Sequence, residues 1–138
     1  MKLKNFKEHY VPTPLGNIFC RSHGSGPALL LLHGYPQTHL IWHKTAPSLS
    51  EHFTVIAADL RGYGDSMAPA SDDTHQVYSK RSMAEDMIHV IDYFSIDEFF
   101  IAGHDRGGRV AHRLAKDYRK RVKGISVLDI CPTLDMYE

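Results

Sequence analysis

An acidic residue stands inside a glycine-rich turn, in the stretch 101–109 that reads Ile-Ala-Gly-His-Asp-Arg-Gly-Gly-Arg. A nucleophilic residue flanked at this spacing by small residues is typical of a nucleophile elbow, a sharp strand-to-helix turn that pushes the central side chain outward. Residues 98–102 predict the strand and residues 109–118 the helix, and the glycines fall where the turn needs residues without side chains. Asp105 is therefore a candidate nucleophile, although a loop Asp that caps the helix would give the same pattern.

A carboxylate at this position changes the chemistry that the turn can perform. Ser, the usual occupant, attacks carbonyl carbons after a base removes its proton, whereas an Asp with an ordinary pKa of about 3.9 is already anionic near neutral pH. Such a carboxylate can displace a leaving group from a saturated carbon and form an alkyl ester. Turnover then requires an activated water that hydrolyses the ester, and the usual base for that water is His.

Two further segments predict loops at the same edge of a sheet. The segment 28–36 is an apolar strand that runs into a turn, and this turn can present the backbone N–H of Tyr35 toward Asp105. In hydrolases with a nucleophile elbow, the oxyanion hole pairs such an N–H with that of the residue after the nucleophile, here Arg106. The segment 53–66 is another apolar strand followed by a glycine-bearing loop. Ligands bind at the carboxyl ends of strands in open α/β sheets, so these loops predict one functional edge.

Four motifs together resemble the α/β-hydrolase superfamily, and within it most closely the haloacetate (fluoroacetate) dehalogenases. The motifs are His33-Gly34-Tyr35-Pro36-Gln37, Asp59-Leu60-Arg61-Gly62-Tyr63-Gly64-Asp65-Ser66, Gly103-His104-Asp105-Arg106-Gly107-Gly108-Arg109 and Leu128-Asp129-Ile130-Cys131-Pro132-Thr133. The more specific feature is Asp followed by Arg with a second Arg three residues later, because haloalkane dehalogenases and epoxide hydrolases usually have Trp at the position of Arg106. The resemblance implies hydrolytic dehalogenation of short haloacids, without a cofactor.

Arg106 and Arg109 also support an anionic substrate on physical grounds. Three residues apart on the first turn of a helix, they share a face and can converge beside Asp105. Guanidinium groups bind carboxylates with a planar fork, and two of them would neutralise the repulsion between Asp105 and a haloacetate. The alternative for Arg109 is a solvated helix face shared with Arg113 and Lys116.

Asp129 follows another apolar strand, and by resemblance it matches the acid that orients the catalytic His. A carboxylate there would accept the imidazole N–H and stabilise the imidazolium; an Asx-type cap in a loop near Pro132 is the alternative. The chain has ten His, but each has a structural explanation, such as His33 packed under the oxyanion turn and His104 beside the nucleophile. We expect no metal site, because His39 and His43 lack a third ligand.

The layout predicts a partial α/β-hydrolase core domain over residues 1–138, mostly parallel with an antiparallel first hairpin. Strands are predicted at residues 6–11, 17–22, 28–32, 53–58, 98–102 and 124–128. The clearest helix covers residues 82–94, with Ser82-x-x-Glu85 as a capping box. The resembled fold has further strands, a helical cap and a distal His loop, so we expect a truncation after about six strands, with the cap absent and an exposed apolar edge at residues 124–128.

Composition and net charge limit the classes of partner that the protein is expected to bind. The formal net charge is zero, which argues against nucleic acid and acidic membranes, and no apolar run is long enough to cross a bilayer. Only Cys20 and Cys131 are present, so reduced thiols in a cytoplasm are expected. We expect a short halogenated carboxylate as substrate and self-association through the exposed sheet edge. Two function classes remain open: a hydrolase, with epoxide hydrolysis or haloalkane dehalogenation as the nearest chemical alternatives, and a non-catalytic remnant.

Overall fold

The chain folds into a six-stranded sheet flanked by helices, in a computed structural model that describes residues 3–70 and 76–129. The strands are β1 (Lys7–Thr13), β2 (Gly16–His23), β3 (Ala28–Leu32), β4 (Thr54–Ala58), β5 (Phe99–His104) and β6 (Val122–Leu128). The helices are α1 (Ala46–Leu49), α2 (Lys80–Tyr93) and α3 (Arg106–Asp117), with a 3₁₀ helix at His39–Trp42. All six predicted strands are present. Cys131, Pro132 and Thr133 lie outside the described residues.

The strand order is β1-β2-β4-β3-β5-β6. β1 pairs antiparallel with β2, and β2 antiparallel with β4, while β4, β3, β5 and β6 run parallel to one another. This confirms the predicted mostly parallel sheet with an antiparallel first hairpin. The register places Leu32 of β3 opposite both Ala58 and Gly103, and His104 opposite Leu128. The four parallel strands therefore end level with one another, and the loops that follow them meet at a single edge.

The two faces of the sheet bury separate apolar clusters. Leu30 and Leu32 of β3 point to the face covered by α2 and α3, whereas Leu29 and Leu31 point to the face that also buries Trp42 and Ala46. Successive side chains of a strand alternate between the two faces of the sheet, so the five apolar residues of β3 contribute to the clusters on both faces. In the described part of the chain, no helix has the length and apolar character needed to cross a bilayer.

Helix α3 begins at Arg106, three residues before the predicted start at residue 109. Of the three glycines predicted as turn residues, Gly103 lies in β5, whereas Gly107 and Gly108 belong to the first turn of α3, where this helix packs very close to β3. A Cβ atom added to Gly107 would lie 2.4 Å from the carbonyl oxygen of Leu32. Gly107 is therefore required for helix packing, and Asp105 alone makes the sharp turn.

Helix α2 begins before the predicted capping box, so that prediction is wrong. The N-cap is Ser79, whose hydroxyl accepts a hydrogen bond from the backbone N–H of Ser82 (3.1 Å). The hydroxyl of Ser82 instead donates to the carbonyl oxygen of Gln76 (2.8 Å). Ser79 adopts the extended backbone that an N-cap requires. The helix therefore begins after Ser79 and not after Ser82.

Among the described strands, β6 lies at an edge of the sheet, as expected. It pairs with β5 on one side, and along it Ile125, Val127 and Leu128 are 42%, 39% and 43% exposed. An apolar edge strand with unpaired backbone groups is a template for pairing with another chain.

We propose that the 138-residue chain self-associates through β6. Light scattering should give a mass above that of the monomer, and Val127→Lys should shift the population toward monomer, because a charged side chain on an edge strand opposes strand pairing. Lys123→Glu, a charge change at the start of the same strand, is the control and should leave the association largely unchanged. A stable monomer with a cooperative melt for the unmodified chain would contradict this proposal.

Candidate active site

Asp105 occupies the turn between β5 and α3 with an unusual backbone conformation, φ 55° and ψ −116°. Few non-glycine residues adopt a positive φ, and such strain persists only where surrounding contacts enforce it. Here the backbone N–H of Asp105 donates to the carbonyl oxygen of Leu128 (3.0 Å), and the carbonyl oxygen of Asp105 accepts from Gly108 (2.9 Å). The side chain makes no capping hydrogen bond to α3. The sharp strand-to-helix turn is consistent with the predicted nucleophile elbow, and the role of Asp105 as nucleophile stays a prediction.

The loop after β3 brings a backbone donor to the Asp105 carboxylate. The N–H of Tyr35 donates to Oδ2 of Asp105 at 3.0 Å. Gly34 permits this approach, because a Cβ atom at that position would lie 2.4 Å from Cβ of Asp105. After ester formation at the other carboxylate oxygen, Oδ2 would become the carbonyl oxygen that gathers negative charge during hydrolysis. The N–H of Tyr35, which was predicted as an oxyanion donor, therefore lies within hydrogen-bond distance of this oxygen.

Burial opposes ionisation of Asp105, but hydrogen bonding outweighs it. Partial burial raises the pKa of Asp105, whereas the N–H groups of Tyr35 and Arg106, together with the nearby His104 and Arg106 side chains, lower it by more, so the pKa lies below its ordinary 3.8. Hydrogen bonds to the charged form favour that form. The Asp105 carboxylate is therefore ionised across the neutral range.

We predict that halide release in a single turnover is independent of pH between about pH 5 and pH 7.5. The lowered pKa of Asp105 keeps the nucleophile ionised as the pH falls, and the rate should decline only below the ordinary Asp range. Rapid-quench measurement of bromide release from bromoacetate tests this. A rate that halves near pH 6.5 would contradict it, because that is the behaviour of a His base acting in the first step.

Arg106 and Arg109 lie on the first turn of α3, next to the nucleophile. Arg106 is exposed, and its Nη1 donates to the hydroxyl of Tyr63 at 3.1 Å. Its guanidinium carbon also lies 4.9 Å from the ring centre of Tyr35. Arg109 is half-buried, unlike a residue on a fully solvated face. Arg113, one turn further on, forms an ion pair with Asp117 at 2.8 Å.

Lys80 is a site residue that the sequence reasoning missed. It is the first residue of α2 and is half-buried. Burial lowers the pKa of Lys80, and the neighbouring charges of Arg106 and Arg109 lower it further, against an opposing effect of Asp105. Lys80 therefore lies within electrostatic reach of Arg106, Arg109 and Asp105. Only the tertiary packing of α2 on α3 brings Lys80 here, so no local sequence signal marks it.

Asp129, the predicted orienting acid, lies just beyond β6 and is bonded to His104. The carboxylate oxygen Oδ2 of Asp129 is 2.9 Å from Nε2 of His104, and the Asp129 side chain is 81% exposed. From sequence, His104 was identified only as a residue next to Asp105. The pairing of His104 with Leu128 across β5 and β6 places Asp129 next to it. The other ring nitrogen, Nδ1, is buried without a hydrogen-bond partner among the described residues.

The remaining histidines near the site have structural partners. His33 lies buried under the turn, as expected: its Nε2 accepts from the N–H of Leu60 (3.0 Å), so Nδ1–H donates to the carbonyl oxygen of Gly34 (2.9 Å). Burial lowers the pKa of His33, which favours this neutral form. His39 contacts Asp59 through Nδ1 (2.7 Å) and Arg21 through Nε2 (2.6 Å). His43 binds a backbone carbonyl oxygen, and no group of three metal-ligating side chains occurs in the ranges that the structure covers.

Comparison with known proteins shows the family of the chain. The family model described as alpha/beta hydrolase fold matches residues 27–137. The chain belongs to the alpha/beta hydrolase family. A fluoroacetate dehalogenase of Burkholderia sp is 44% identical over 135 residues, covering 98% of this chain and 44% of the relative. A soluble epoxide hydrolase of Corynebacterium sp. (strain C12) is 39% identical over 132 residues, covering 96% of this chain and 41% of the relative.

A solved structure agrees with this assignment. An alpha/beta hydrolase structure from Nostoc sp PCC 7120 superposes with a TM-score of 0.96 at 53% identity, covering 99% of this chain and 47% of that one. The alpha/beta hydrolase chain described here thus spans less than half the length of the relatives that it matches.

Proposed function

We propose that this alpha/beta hydrolase takes part in hydrolytic dehalogenation of short haloacids, in which haloacetate and water give glycolate, halide and a proton. The observation that carries the proposal is the placement of Arg106 and Arg109 on the first turn of α3, directly after Asp105, with Lys80 within electrostatic reach of all three. An excess of positive charge beside an anionic nucleophile suits an anionic substrate, because it offsets the repulsion between the two carboxylates. The similarity to a fluoroacetate dehalogenase of Burkholderia sp supports the same substrate class.

The first step is a displacement at carbon. One oxygen of Asp105 attacks the carbon that bears the halogen, the new C–O bond forms as the carbon–halogen bond breaks, and the halide leaves with the bonding pair. The product is a carboxymethyl ester on Asp105. Arg106 and Arg109 would hold the substrate carboxylate through charge-assisted hydrogen bonds, which orient the carbon toward Asp105.

The second step is hydrolysis of the ester. A water attacks the carbonyl carbon of Asp105, and the N–H groups of Tyr35 and Arg106 would stabilise the resulting oxyanion. A His base must take the proton from that water, and Asp129 is proposed to orient it. Collapse of the intermediate then breaks the bond between the acyl carbon and the alkyl oxygen, so that glycolate leaves with a proton on its hydroxyl and the Asp105 carboxylate is restored. The exposed carboxylate of Asp129 is accessible for this role.

The anion preference can be tested at Arg109. Arg109→Ala should weaken bromoacetate binding roughly 10- to 150-fold, because a hydrogen bond to a charged group contributes about 1.5–3 kcal/mol. The reaction of bromoacetamide, which has the same reactive carbon without the charge, should change little. Single-turnover rates measured against substrate concentration give both values.

Arg113→Ala is the matched control, since Arg113 lies one turn along the same helix and pairs with Asp117. It should leave both substrates unaffected. Equal losses for bromoacetate and bromoacetamide in Arg109→Ala would contradict a carboxylate-binding role.

Epoxide hydrolysis is the second candidate, favoured by the 39% identity to the soluble epoxide hydrolase of Corynebacterium sp. (strain C12). Both reactions use a carboxylate attack on an alkyl carbon, but a simple epoxide carries no charge for the cations to bind. Incubation with styrene oxide and with bromoacetate under the same conditions separates them. Faster ester formation on Asp105 from the epoxide would favour this alternative.

A further inference from the structure

Two tyrosines from separate loops hold the guanidinium of Arg106. The hydroxyl of Tyr63, in the loop after β4, accepts a hydrogen bond from Nη1 at 3.1 Å. Tyr35, in the loop after β3, places its ring 4.9 Å from the guanidinium carbon. The two rings also contact each other edge to face, with centroids 6.4 Å apart and planes at 80°. Arg106 is thus fixed by one hydrogen bond and one cation–π contact.

Both tyrosines are themselves anchored to the catalytic loops. The ring of Tyr63 packs edge to face on buried His33, with centroids 5.2 Å apart. Its backbone N–H donates to the carbonyl oxygen of Leu60 (3.0 Å). Tyr35 is held through its own N–H, which is bonded to Asp105. The contacts with Arg106 therefore exist before any substrate arrives.

The position of Arg106 matters because its neighbour in sequence carries the opposite charge. An ion pair between Arg106 and Asp105 would occupy the lone pairs that the nucleophile needs. Within the described ranges, no such side-chain ion pair is formed. Tyr63 uses one of the five N–H donors of the guanidinium, and the planar fork still has enough donors for a bidentate carboxylate.

We propose that Tyr35 and Tyr63 are positioning residues, which hold the Arg106 guanidinium beside Asp105 in the orientation that receives the substrate carboxylate. This inference rests on the proposed function, because it concerns the same substrate class. Tyr63 sets the orientation by accepting from Nη1, and the exposed face of Tyr35 supports the cation from the other side.

Acetate tests the proposal without any reaction, since it has the carboxylate and lacks a leaving group. Its dissociation constant is measured from the ¹H–¹⁵N resonance of Arg106 Nε, assigned with an Arg106→Lys variant. Tyr63→Phe should weaken acetate binding roughly three- to tenfold, as expected for one lost hydrogen bond, and Tyr35→Leu roughly two- to fivefold. Tyr93→Phe, which removes a phenol hydroxyl bonded to His9 far from the site, should have no effect.

Reaction rates supply the second readout. Tyr63→Phe should slow ester formation from bromoacetate at low concentration, leave the rate at saturation nearly unchanged and leave bromoacetamide unaffected. Tyr35 is 61% exposed, so Tyr35→Leu should fold normally. It therefore provides an independent test if Tyr63→Phe folds poorly. Failure of acetate to bind, or equal affinity in all variants, overturns the positioning role. Acetate binding that depends on both tyrosines, with no ester formed from bromoacetate, upholds that role and refutes the proposed dehalogenation instead.

Discussion

Bromoacetate incubated with the 138-residue chain, in which Cys131 is replaced by Ser to remove a competing thiol, is expected to release no more than one bromide per polypeptide. Asp105 needs no base for the displacement, so the first step can proceed. Hydrolysis of the ester needs a histidine, and the described histidines near the site are engaged: His33 and His39 use both ring nitrogens, and His104 binds Asp129 while its Nδ1 is buried. Ion chromatography after quenching gives the stoichiometry.

The variant Asp105→Ala provides the control for this stoichiometry and should release no bromide above the uncatalysed rate. Release that continues well beyond one equivalent would contradict the prediction. It would mean that a histidine of this chain, or of an associated chain, activates water. His104→Gln would then identify the base, because His104 is the histidine next to the nucleophile.

The second large effect concerns stability. Asp86→Ala should lower the free energy of unfolding by about 3–5 kcal/mol, because it leaves the charge of Arg61 buried without its partner. The pair is bidentate, with Nε to Oδ2 and Nη2 to Oδ1 both at 2.6 Å, and the two side chains are 5% and 3% exposed. Denaturant unfolding measures the change. The pair joins α2 to the loop that carries Tyr63, so the variant should also weaken acetate binding.

Asp92→Ala is a matched control on the same helix. Asp92 pairs with Arg121 at 2.7 Å, but its side chain is 58% exposed. An exposed pair contributes about 0–1 kcal/mol, so its loss should change stability little. Equal destabilisation by the two variants would contradict the view that Arg61 and Asp86 are a buried structural pair.

The central part of the site could be predicted from sequence because it depends on local patterns. The spacing around Asp105 predicts the strand, the turn and the helix, and the apolar strand before Tyr35 predicts a loop at the same edge. The α/β layout follows from alternating strand and helix patterns. The early start of α3 was not predicted because a glycine such as Gly107 suits either a turn or a close packing contact, and the sequence alone does not distinguish the two. Only the contact with Leu32 decides between them.

The contacts that tune the site depend on tertiary structure and leave no local signal. His104 meets Asp129 through the register of β5 and β6, and the Tyr63 hydroxyl reaches Arg106 across 43 positions of sequence. Lys80 comes from the start of a helix whose packing on α3 cannot be read from its own residues. Sequence patterns therefore located the candidate nucleophile, while its surroundings could be described only from the structure.

The most direct measurement of the central claim is the position of the adduct formed by bromoacetate. Cys20 is buried, and burial together with the nearby Asp59 raises its pKa to about 12, so it should not react in the folded chain. Cys131 is replaced by Ser to remove the competing thiol. Peptide mapping by mass spectrometry should place one carboxymethyl group on Asp105, and Asp105→Ala should carry none. A carboxymethyl group on another residue, with Asp105 unmodified, would contradict the assignment of Asp105 as the nucleophile.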